Sequence, residues 1–349
     1  MKKFFAVAAS LILSASLLTA CGSAPAPAPT TAPAPTAAET VAAETAAPKT
    51  EAGKVFNVAI VQQLDHASLD EIRLSMEAEL DKVAAEKGIT IYYKDYNGQN
   101  DASVLNQIAA QVVSDQVDAI LPIATLAATT MTTAAEDAGI PVIYAAISDP
   151  ESASLTGLPN VTGTSDALNT PFILDMMFAV NPDIQTVGLL YSNSEANSTT
   201  PIAEAKAYLE AKGIAYLEKT GNTADEIIAA ANSLVGRCDA VFTPTDNAVM
   251  NVAGAVAEIL TNAGIPHYTG ADSFVQAGGF ATCGVNYTEL GTYTADMAFD
   301  ILTGGAVPEY HVMDGGIITV NTDTAKTLGI DYSVFSSMAN TVVEVTTAE

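Results

Sequence analysis

The chain has 349 residues, enough for two lobes with a core each, and its formal net charge is −27. So acidic a surface argues against binding nucleic acid, whose phosphates need Lys and Arg, and against lying on anionic lipid. The three histidines are widely spaced and form no zinc pattern, so no metal or cofactor is expected.

The first 21 residues have the layout of a bacterial lipoprotein signal. Lys2 and Lys3 precede an apolar run, and Leu18-Thr19-Ala20-Cys21 fits the lipobox, where cleavage leaves a lipid-bearing cysteine. An ordinary signal peptide with a chance cysteine is the alternative. The sequence thus predicts a signal peptide over residues 1–20, lipid attachment at Cys21 and a location on the extracytoplasmic face of the cell membrane. Residues 21–53, rich in Ala, Pro and Thr, are expected to form a disordered tether.

From Val55 onward, short apolar runs alternate with helix-length amphipathic segments. Strands are predicted at 55–61, 89–93, 119–122, 141–145, 186–191, 214–218, 240–243, near 267, 280–285 and 316–320. Helices are predicted at 69–87, 102–115, 127–138, 201–212, 224–235, 247–263, 287–302 and 322–328. A repeated helix-Gly-Ile pattern, as at Gly88-Ile89, predicts one αβ turn with a glycine cap used four times.

This alternation predicts an α/β fold with parallel sheets covered by helices on both faces. Two runs of βα units flank an irregular stretch over 148–170, which indicates two similar, Rossmann-like lobes. Elements left over after the second run indicate that the chain crosses back. The predicted N-terminal lobe is 54–162 plus about 286–315, and the C-terminal lobe is 163–285 plus about 316–349.

Small polar residues follow nearly every predicted strand, where parallel sheets bind their ligands. Each has a structural alternative: Thr125, Ser198 and Asp246 could simply cap helices, and the segment from Ser148 could be only a turn. The candidate ligand-binding residues are Leu64, Asp65, Thr125, Ala127, Ser148, Ser165, Asp166, Tyr191, Ser194, Asn197, Ser198, Asp246, Asn247 and Asp272.

Catalysis is poorly supported, and no enzyme is expected. The sequence has no nucleophile elbow and no phosphate-binding Gly-Lys-Ser/Thr loop. Asp65 and His66 are the only adjacent acid–base pair at a strand end. Cys238 and Cys283 lie in apolar segments, which favours buried free thiols over a disulfide.

Six further motifs follow one another along the chain: Asp65–Asp70, Ile147–Pro150, Asn160–Asp166, Ser194–Ser198, Pro244–Asn247 and Tyr287–Gly291. Together they resemble the substrate-binding lipoproteins of ABC importers, in the tryptophan/tyrosine-binding group. The resemblance covers about Val55 to Ile330. It implies a type I periplasmic-binding-protein fold with a hinge, an amino-acid ligand that is often aromatic, and a membrane permease and an ATPase as partners.

On this basis we expect a free amino acid between the lobes. Its carboxylate would meet N–H groups at the start of the helix at Ala127 with the Thr125 hydroxyl, and Ser194, Asn197 and Ser198 on the other lobe. Asp246 is the first choice for the ammonium, with Asp272 and Asp166 as alternatives. The ligand side chain would lie against Leu64, Tyr191 or Tyr287.

Other functions stay open at this stage. A sugar or nucleoside ligand is less favoured, because the chain has only two arginines, Arg73 and Arg237, and neither follows a strand. A surface enzyme would have to use Asp65 and His66. A ligand sensor that signals to a membrane receptor cannot be separated from an importer by sequence. A monomer is expected, because the lobes must move.

Overall fold

The computed structural model describes residues 53–348, so the predicted signal peptide, Cys21 and all but the last residue of the tether lie outside the described residues. The strands are β1 (Val55–Gln62), β2 (Thr90–Asn97), β3 (Ala119–Ile123), β4 (Val142–Tyr144), β5 (Val161–Ser165), β6 (Thr186–Tyr191), β7 (Ala215–Thr220), β8 (Ala240–Thr243), β9 (His267–Thr269), β10 (Ala281–Gly284), β11 (His311–Val312), β12 (Ile317–Asn321) and β13 (Thr341–Val345). The helices are α1 (Ala67–Lys87), α2 (Ala102–Ser114), α3 (Thr125–Ala135), α4 (Thr170–Val180), α5 (Thr199–Lys212), α6 (Ala224–Leu234), α7 (Asn247–Met250), α8 (Ala253–Asn262), α9 (Asp272–Gln276), α10 (Tyr287–Leu302) and α11 (Thr322–Leu328). Short 3₁₀ turns lie at Ala196–Ser198 and Ser333–Ser337.

The first sheet has six strands in the order β11-β5-β4-β3-β1-β2, and every pairing in it is parallel. Residues 58–61 of the inner strand β1 are buried on both faces. Val58 and Ile60 belong to the core under α1 and α10, whereas Ala59 and Val61 belong to the core under α2 and α3. This explains why these four residues are a continuous apolar run rather than an alternating one. We call this sheet and these four helices the first half.

The second sheet has seven strands in the order β13-β12-β10-β9-β8-β6-β7. Its pairings are parallel except that of β10 with β12, which is antiparallel. With the remaining helices it forms the second half. The α/β fold with two largely parallel sheets is therefore confirmed.

Three connections pass between the halves: from β5 to α4, from β10 to α10, and from β11 to β12. The second returns the chain to the first half, where α10 packs along α1. Gly291 allows this approach, because a Cβ there would lie 2.0 Å from the Ser75 hydroxyl oxygen and 2.5 Å from the Ile72 carbonyl oxygen.

The stretch predicted to be irregular, 148–170, contains β5. Its sequence, Val-Thr-Gly-Thr-Ser, has no apolar pattern, yet all five residues are buried because β5 lies between β4 and β11. Gly163 is required there, since a Cβ would lie 2.0 Å from the Tyr144 carbonyl oxygen. The predicted boundary after residue 162 thus falls inside a strand of the first sheet. The division into two lobes stays a proposal, with its first boundary moved beyond Ser165.

The helix predicted over 247–263 is also wrong in detail, because the chain breaks it into α7 and α8. Val252 leaves the helical region, with φ −126° and ψ 21°. The predicted αβ turn is confirmed: Gly88, Gly139, Gly213 and Gly264 all have φ between 65° and 74°. Gly329 before Ile330 caps α11 in the same way, with φ 67°, but a 3₁₀ turn rather than a strand follows it.

Cys238 and Cys283 are buried free thiols, as favoured from sequence. Burial raises the pKa of each to about 11, so both stay protonated and unreactive at neutral pH. Across residues 53–348, no helix has the length and apolar character needed to span a bilayer. The same residues contain no group of three or more His, Cys, Asp or Glu side chains placed to hold a metal ion.

Candidate functional site: a buried cavity between the two sheets

A small cavity, with a volume of about 20 Å³, lies where the carboxyl ends of the two sheets face each other. Both halves contribute to its wall, which consists of His66, Ser68, Leu69, Ala124, Thr125, Ala146, Ser148, Asp166, Asn197, Thr245, Asp246, Asn247, Met250, Ala271, Phe274 and Tyr287.

The N-terminus of α3 brings hydrogen-bond donors to the first-half wall. Its N-cap is Ala124, which has no side chain able to cap the helix. The Leu126 N–H donates to Gln63 Oε1 at 3.0 Å. Within residues 53–348, the N–H groups of Thr125 and Ala127 and the Thr125 hydroxyl have no hydrogen-bond partner. Free N–H groups at a helix N-terminus favour an anion such as a carboxylate.

Two alanines beside this helix have backbone conformations that side chains disfavour. Ala124 has φ 75° and ψ 162°, a region occupied almost only by glycine, and Ala146, after β4, has φ 57°. Such residues cost about 1–3 kcal/mol each and persist only where the surroundings impose them. Both line the cavity. The strain therefore lies where the two loops turn toward the cleft.

Asp166 is the carboxylate of the first-half wall. It follows β5 and is 5% exposed. Its Oδ1 accepts the Ser148 hydroxyl at 3.0 Å, and its Oδ2 accepts the Tyr287 hydroxyl at 3.1 Å. Burial raises its pKa, and the two hydroxyl donors only partly offset this. A cationic group in the cavity would stabilise the ionised form.

Two buried acceptors that line the cavity have no partner within the described residues, namely His66 Nδ1 and Asn197 Oδ1. Asn247 Nδ2 donates to Glu195 Oε2 at 2.8 Å, so Asn247 Oδ1 faces His66 Nε2 at 3.0 Å. Nε2 therefore carries the ring proton and Nδ1 is an acceptor. Burial is the largest influence on His66 and lowers its pKa, which favours this neutral form.

Asp246, the first choice for the ammonium, is fully buried and its oxygens are already occupied. Its Oδ2 accepts the Ser192 N–H and the Ser198 hydroxyl, both at 2.7 Å. Its Oδ1 accepts the Val249 N–H at 3.0 Å, as an N-cap of α7. Asp246 therefore acts as a helix cap, which was the structural alternative given for it from sequence. Asp166 is the better candidate for binding a cationic group of a ligand.

The rest of the cavity wall is mainly apolar. Leu69 and Tyr287 come from the first half, and Met250, Ala271 and Phe274 from the second. Of the three side chains expected to contact the ligand side chain, only Tyr287 lies here. Leu64 lines a separate polar cleft with Asp65, and Tyr191 faces the surface, where its hydroxyl donates to Glu218 at 2.8 Å.

The sequence-based candidates therefore separate into two groups. Thr125, Ser148, Asp166, Asn197, Asp246 and Asn247 line the cavity. The others do not: Ala127 and Ser165 are fully buried, Asp65 and Ser194 are exposed, and Ser198 is bonded to Asp246. Asp272 begins α9, where burial and then Glu71 raise its pKa to about 6.

Sequence reasoning did not propose His66, Ala124, Ala146, Met250 or Phe274 as ligand contacts. Ala124 and Ala146 directly follow β3 and β4 or lie one residue beyond, so the strand-end rule that selected Thr125 applied to them as well. They were not selected because an alanine side chain has no polar atom, and most of the candidates were chosen for their polar side chains. Met250 and Phe274 lie on short helices and gave no signal, because an apolar residue on a helix usually packs in a core.

Hydrogen bonds join the two halves across the cleft. His66 bonds Asn247, Ser148 bonds Thr245 at 3.0 Å, and Ser68 bonds Ser273. Gln63 Nε2 donates to Glu195 Oε1 at 3.1 Å, and the Thr200 hydroxyl donates to Asp149 Oδ2 at 2.7 Å. The walls are thus in direct contact around the cavity.

Comparison with known proteins identifies the family. Residues 57–342 match the family model described as "ABC transporter substrate binding protein". The chain belongs to this family. The tyrosine-binding protein of Clostridioides difficile (strain R20291) is 31% identical to this ABC substrate-binding protein over 287 residues, 80% of this chain and 83% of the relative.

Two solved structures are similar to this substrate-binding protein. The first is an ABC domain from Streptococcus pneumonia in complex with L-Trp, with TM-score 0.76, 29% identity and coverage of 83% of this chain and 100% of that one. The second is a ligand-free, open substrate-binding protein with adhesive properties from Clostridium difficile, with TM-score 0.64, 32% identity and coverage of 84% and 100%. The open structure fits less well although its sequence is slightly closer. In this protein, the hydrogen bonds across the cleft hold the two walls in contact, so the cleft is closed.

Proposed function

We propose that this substrate-binding protein captures a free α-amino acid with an aromatic or other hydrophobic side chain between its halves. It would deliver this ligand to a membrane permease driven by an ATPase. Lipid on Cys21 would hold it at the extracytoplasmic face of the cell membrane. The names of two relatives, one tyrosine-binding and one solved with L-Trp, agree with this ligand class.

The observation that carries the proposal is the separation of donors and acceptors in one buried cavity. The α3 N-terminus and the Thr125 hydroxyl supply donors without partners, and Asp166, His66 Nδ1 and Asn197 Oδ1 supply acceptors. A zwitterion needs both: donors for its carboxylate, and acceptors for the three hydrogens of its ammonium. The apolar wall of Leu69, Met250 and Phe274 favours a hydrophobic side chain.

A sugar ligand has less support. The chain's two arginines lie away from the cavity, where Arg73 pairs with Glu77 and Asp95 and Arg237 bonds its own helix at the Ser233 carbonyl. No arginine is therefore placed to bond sugar hydroxyls.

The test has two steps. Mass spectrometry of the ligand released by denaturing purified protein should find an amino acid. A thermal-shift series should then show that L-tyrosine, L-tryptophan or L-phenylalanine raises the melting temperature, because a bound ligand stabilises only the folded state. The proposal is overturned if D-ribose and other pentoses raise it and no amino acid does.

A further inference from the structure

Glu195 is a buried carboxyl group that lies between the two halves. It follows β6 in the second half and is 5% exposed. Gln63, which follows β1 in the first half and is 1% exposed, donates to it from Nε2 at 3.1 Å. Asn247 donates to it from the second half at 2.8 Å. Glu195 thus accepts hydrogen bonds from both sides of the cleft, and the Gln63 bond exists only while the cleft is closed.

Gln63 connects this contact to the ligand cavity. Its Nε2 also donates to Asn100 Oδ1 at 2.9 Å, and its Oε1 accepts the Leu126 N–H of α3 at 3.0 Å. Both hydrogens of the Gln63 Nε2 group and its Oε1 oxygen are therefore engaged in hydrogen bonds. The same side chain fixes the first turn of α3, where we place the ligand carboxylate, and holds Glu195 of the opposite half.

The charges that face Glu195 make its ionised form costly in the closed state. Asp246 is its charged neighbour within the second half, and no cation offsets the pair among the described residues that bond to either carboxylate. Lys206 lines the adjacent surface groove but pairs with Glu218 at 2.9 Å. His66 faces Glu195 only through Asn247, and is neutral.

Burial, followed by repulsion from Asp246, raises the pKa of Glu195 to about 7. Burial also raises the pKa of Asp246, but two backbone N–H groups and a hydroxyl stabilise its charge, so Glu195 is the member of the pair that protonates first as the pH falls. Opening the cleft returns Glu195 to water and removes the Gln63 bond. Its pKa then falls toward the ordinary glutamate value of about 4.3.

We infer that Gln63, Glu195 and Asn247 form a latch across the cleft, and that closure on the ligand takes up a proton at Glu195. This rests on the proposed function, since closure is assigned to ligand capture. The sign follows from linkage: the closed state holds the proton more tightly than the open state, so acidification from pH 8 to pH 6 favours closure. When the cleft opens at higher pH, the ligand and the proton on Glu195 are released together.

The test compares the wild-type chain with Glu195→Gln, which keeps the shape and cannot ionise, and with Glu204→Gln, an exposed position in the same half. L-tyrosine is titrated calorimetrically from pH 8 to pH 6. The Kd of the wild type divided by that of Glu195→Gln should fall by up to about tenfold over this range. Both proteins contain His66, so its contribution to the pH dependence of the Kd cancels in this ratio. The Glu204→Gln ratio should stay constant.

Two further measurements keep the outcome decisive. Wild-type titrations in phosphate and Tris buffers at pH 7.5 should show net proton uptake, which needs no variant to fold. Without ligand, spin labels at exposed positions 107 on α2 and 225 on α6 should report more closed molecules at pH 6 than at pH 8, relative to Glu195→Gln. If the ratio of the wild-type Kd to the Glu195→Gln Kd is constant between pH 8 and pH 6 and no proton is taken up, the latch is overturned, but the proposed amino-acid binding is not. If L-tyrosine and the other amino acids do not bind, the proposed function fails, and the label distances alone decide on the latch.

Discussion

The two walls of the cavity differ in how their polar atoms are satisfied. On the first-half wall, the start of α3 and His66 Nδ1 have no partner within the described residues, and the partners of Asp166 are two hydroxyl groups that rotate. On the second-half wall, Asn197 Oδ1 also has no partner within the described residues, but the carboxylate of Asp246 is fixed by two backbone N–H groups and Ser198. The comparison teaches that two buried carboxylates in one cavity can be held differently: Asp246 is bound by its own half, whereas Asp166 has only two hydroxyl partners and is therefore the candidate that we propose for the ligand ammonium.

The largest effect should come from Asp166→Asn. The amide keeps an acceptor oxygen but has no negative charge to pair with an ammonium, and a buried hydrogen bond to a charged group contributes up to about 3 kcal/mol, so affinity should fall roughly 100-fold. Calorimetry with L-tyrosine measures it. Asp137→Asn, at an exposed position, should leave the Kd unchanged. Equal affinity of the Asp166 variant would remove this residue from the ammonium site.

Asp246→Asn should mainly lower the stability of the ligand-free protein, by about 2–3 kcal/mol. An amide has only one oxygen, so its NH₂ group would meet the Ser192 N–H or the Val249 N–H. Urea unfolding measures the free energy of unfolding. Asp101→Asn is the matched control, since Asp101 caps α2 at the surface and asparagine caps nearly as well. Similar losses in both variants would contradict the structural role of Asp246.

His66 should make binding weaker at low pH. Because burial lowers its pKa in the closed state, its contribution is present above about pH 6.5 and is lost as the pH falls below that value. In a Glu195→Gln background, where the latch no longer titrates, L-tyrosine affinity should fall up to about tenfold between pH 7.5 and pH 5.5. Adding His66→Ala should remove this fall. Persistence of the fall would assign it to another group.

The smallest effect concerns the strained backbone. Ala124→Gly should raise the free energy of unfolding by about 1 kcal/mol, because glycine adopts φ 75° and ψ 162° without strain. Ala85→Gly, at an exposed position inside α1, should lower it by about 0.5–1 kcal/mol. Urea unfolding of both variants gives the comparison, and a loss of stability at both positions would show that Ala124 is not strained.

The sequence predicted the βα units well, because strand and helix periodicities and glycine caps are local signals. It missed β5, whose buried, polar residues are held by neighbouring strands rather than by their own propensity. It placed Asp166 and Asp246 at strand ends and ranked Asp246 first for the ammonium, whereas the hydrogen bonds of the two carboxylates favour Asp166 as the candidate. Their ranking depends on which donors the fold brings near, such as the Ser192 N–H at the end of β6, and no local pattern carries this.

The central claim is that one cavity binds both ends of a zwitterion. Calorimetry with L-tyrosine, tyramine and 3-(4-hydroxyphenyl)propanoate tests it directly, since the second ligand lacks the carboxylate and the third lacks the ammonium. The account predicts that each analogue binds at least about 30-fold more weakly than L-tyrosine, through the loss of one set of charged hydrogen bonds. Equal affinity of either analogue and L-tyrosine would contradict it.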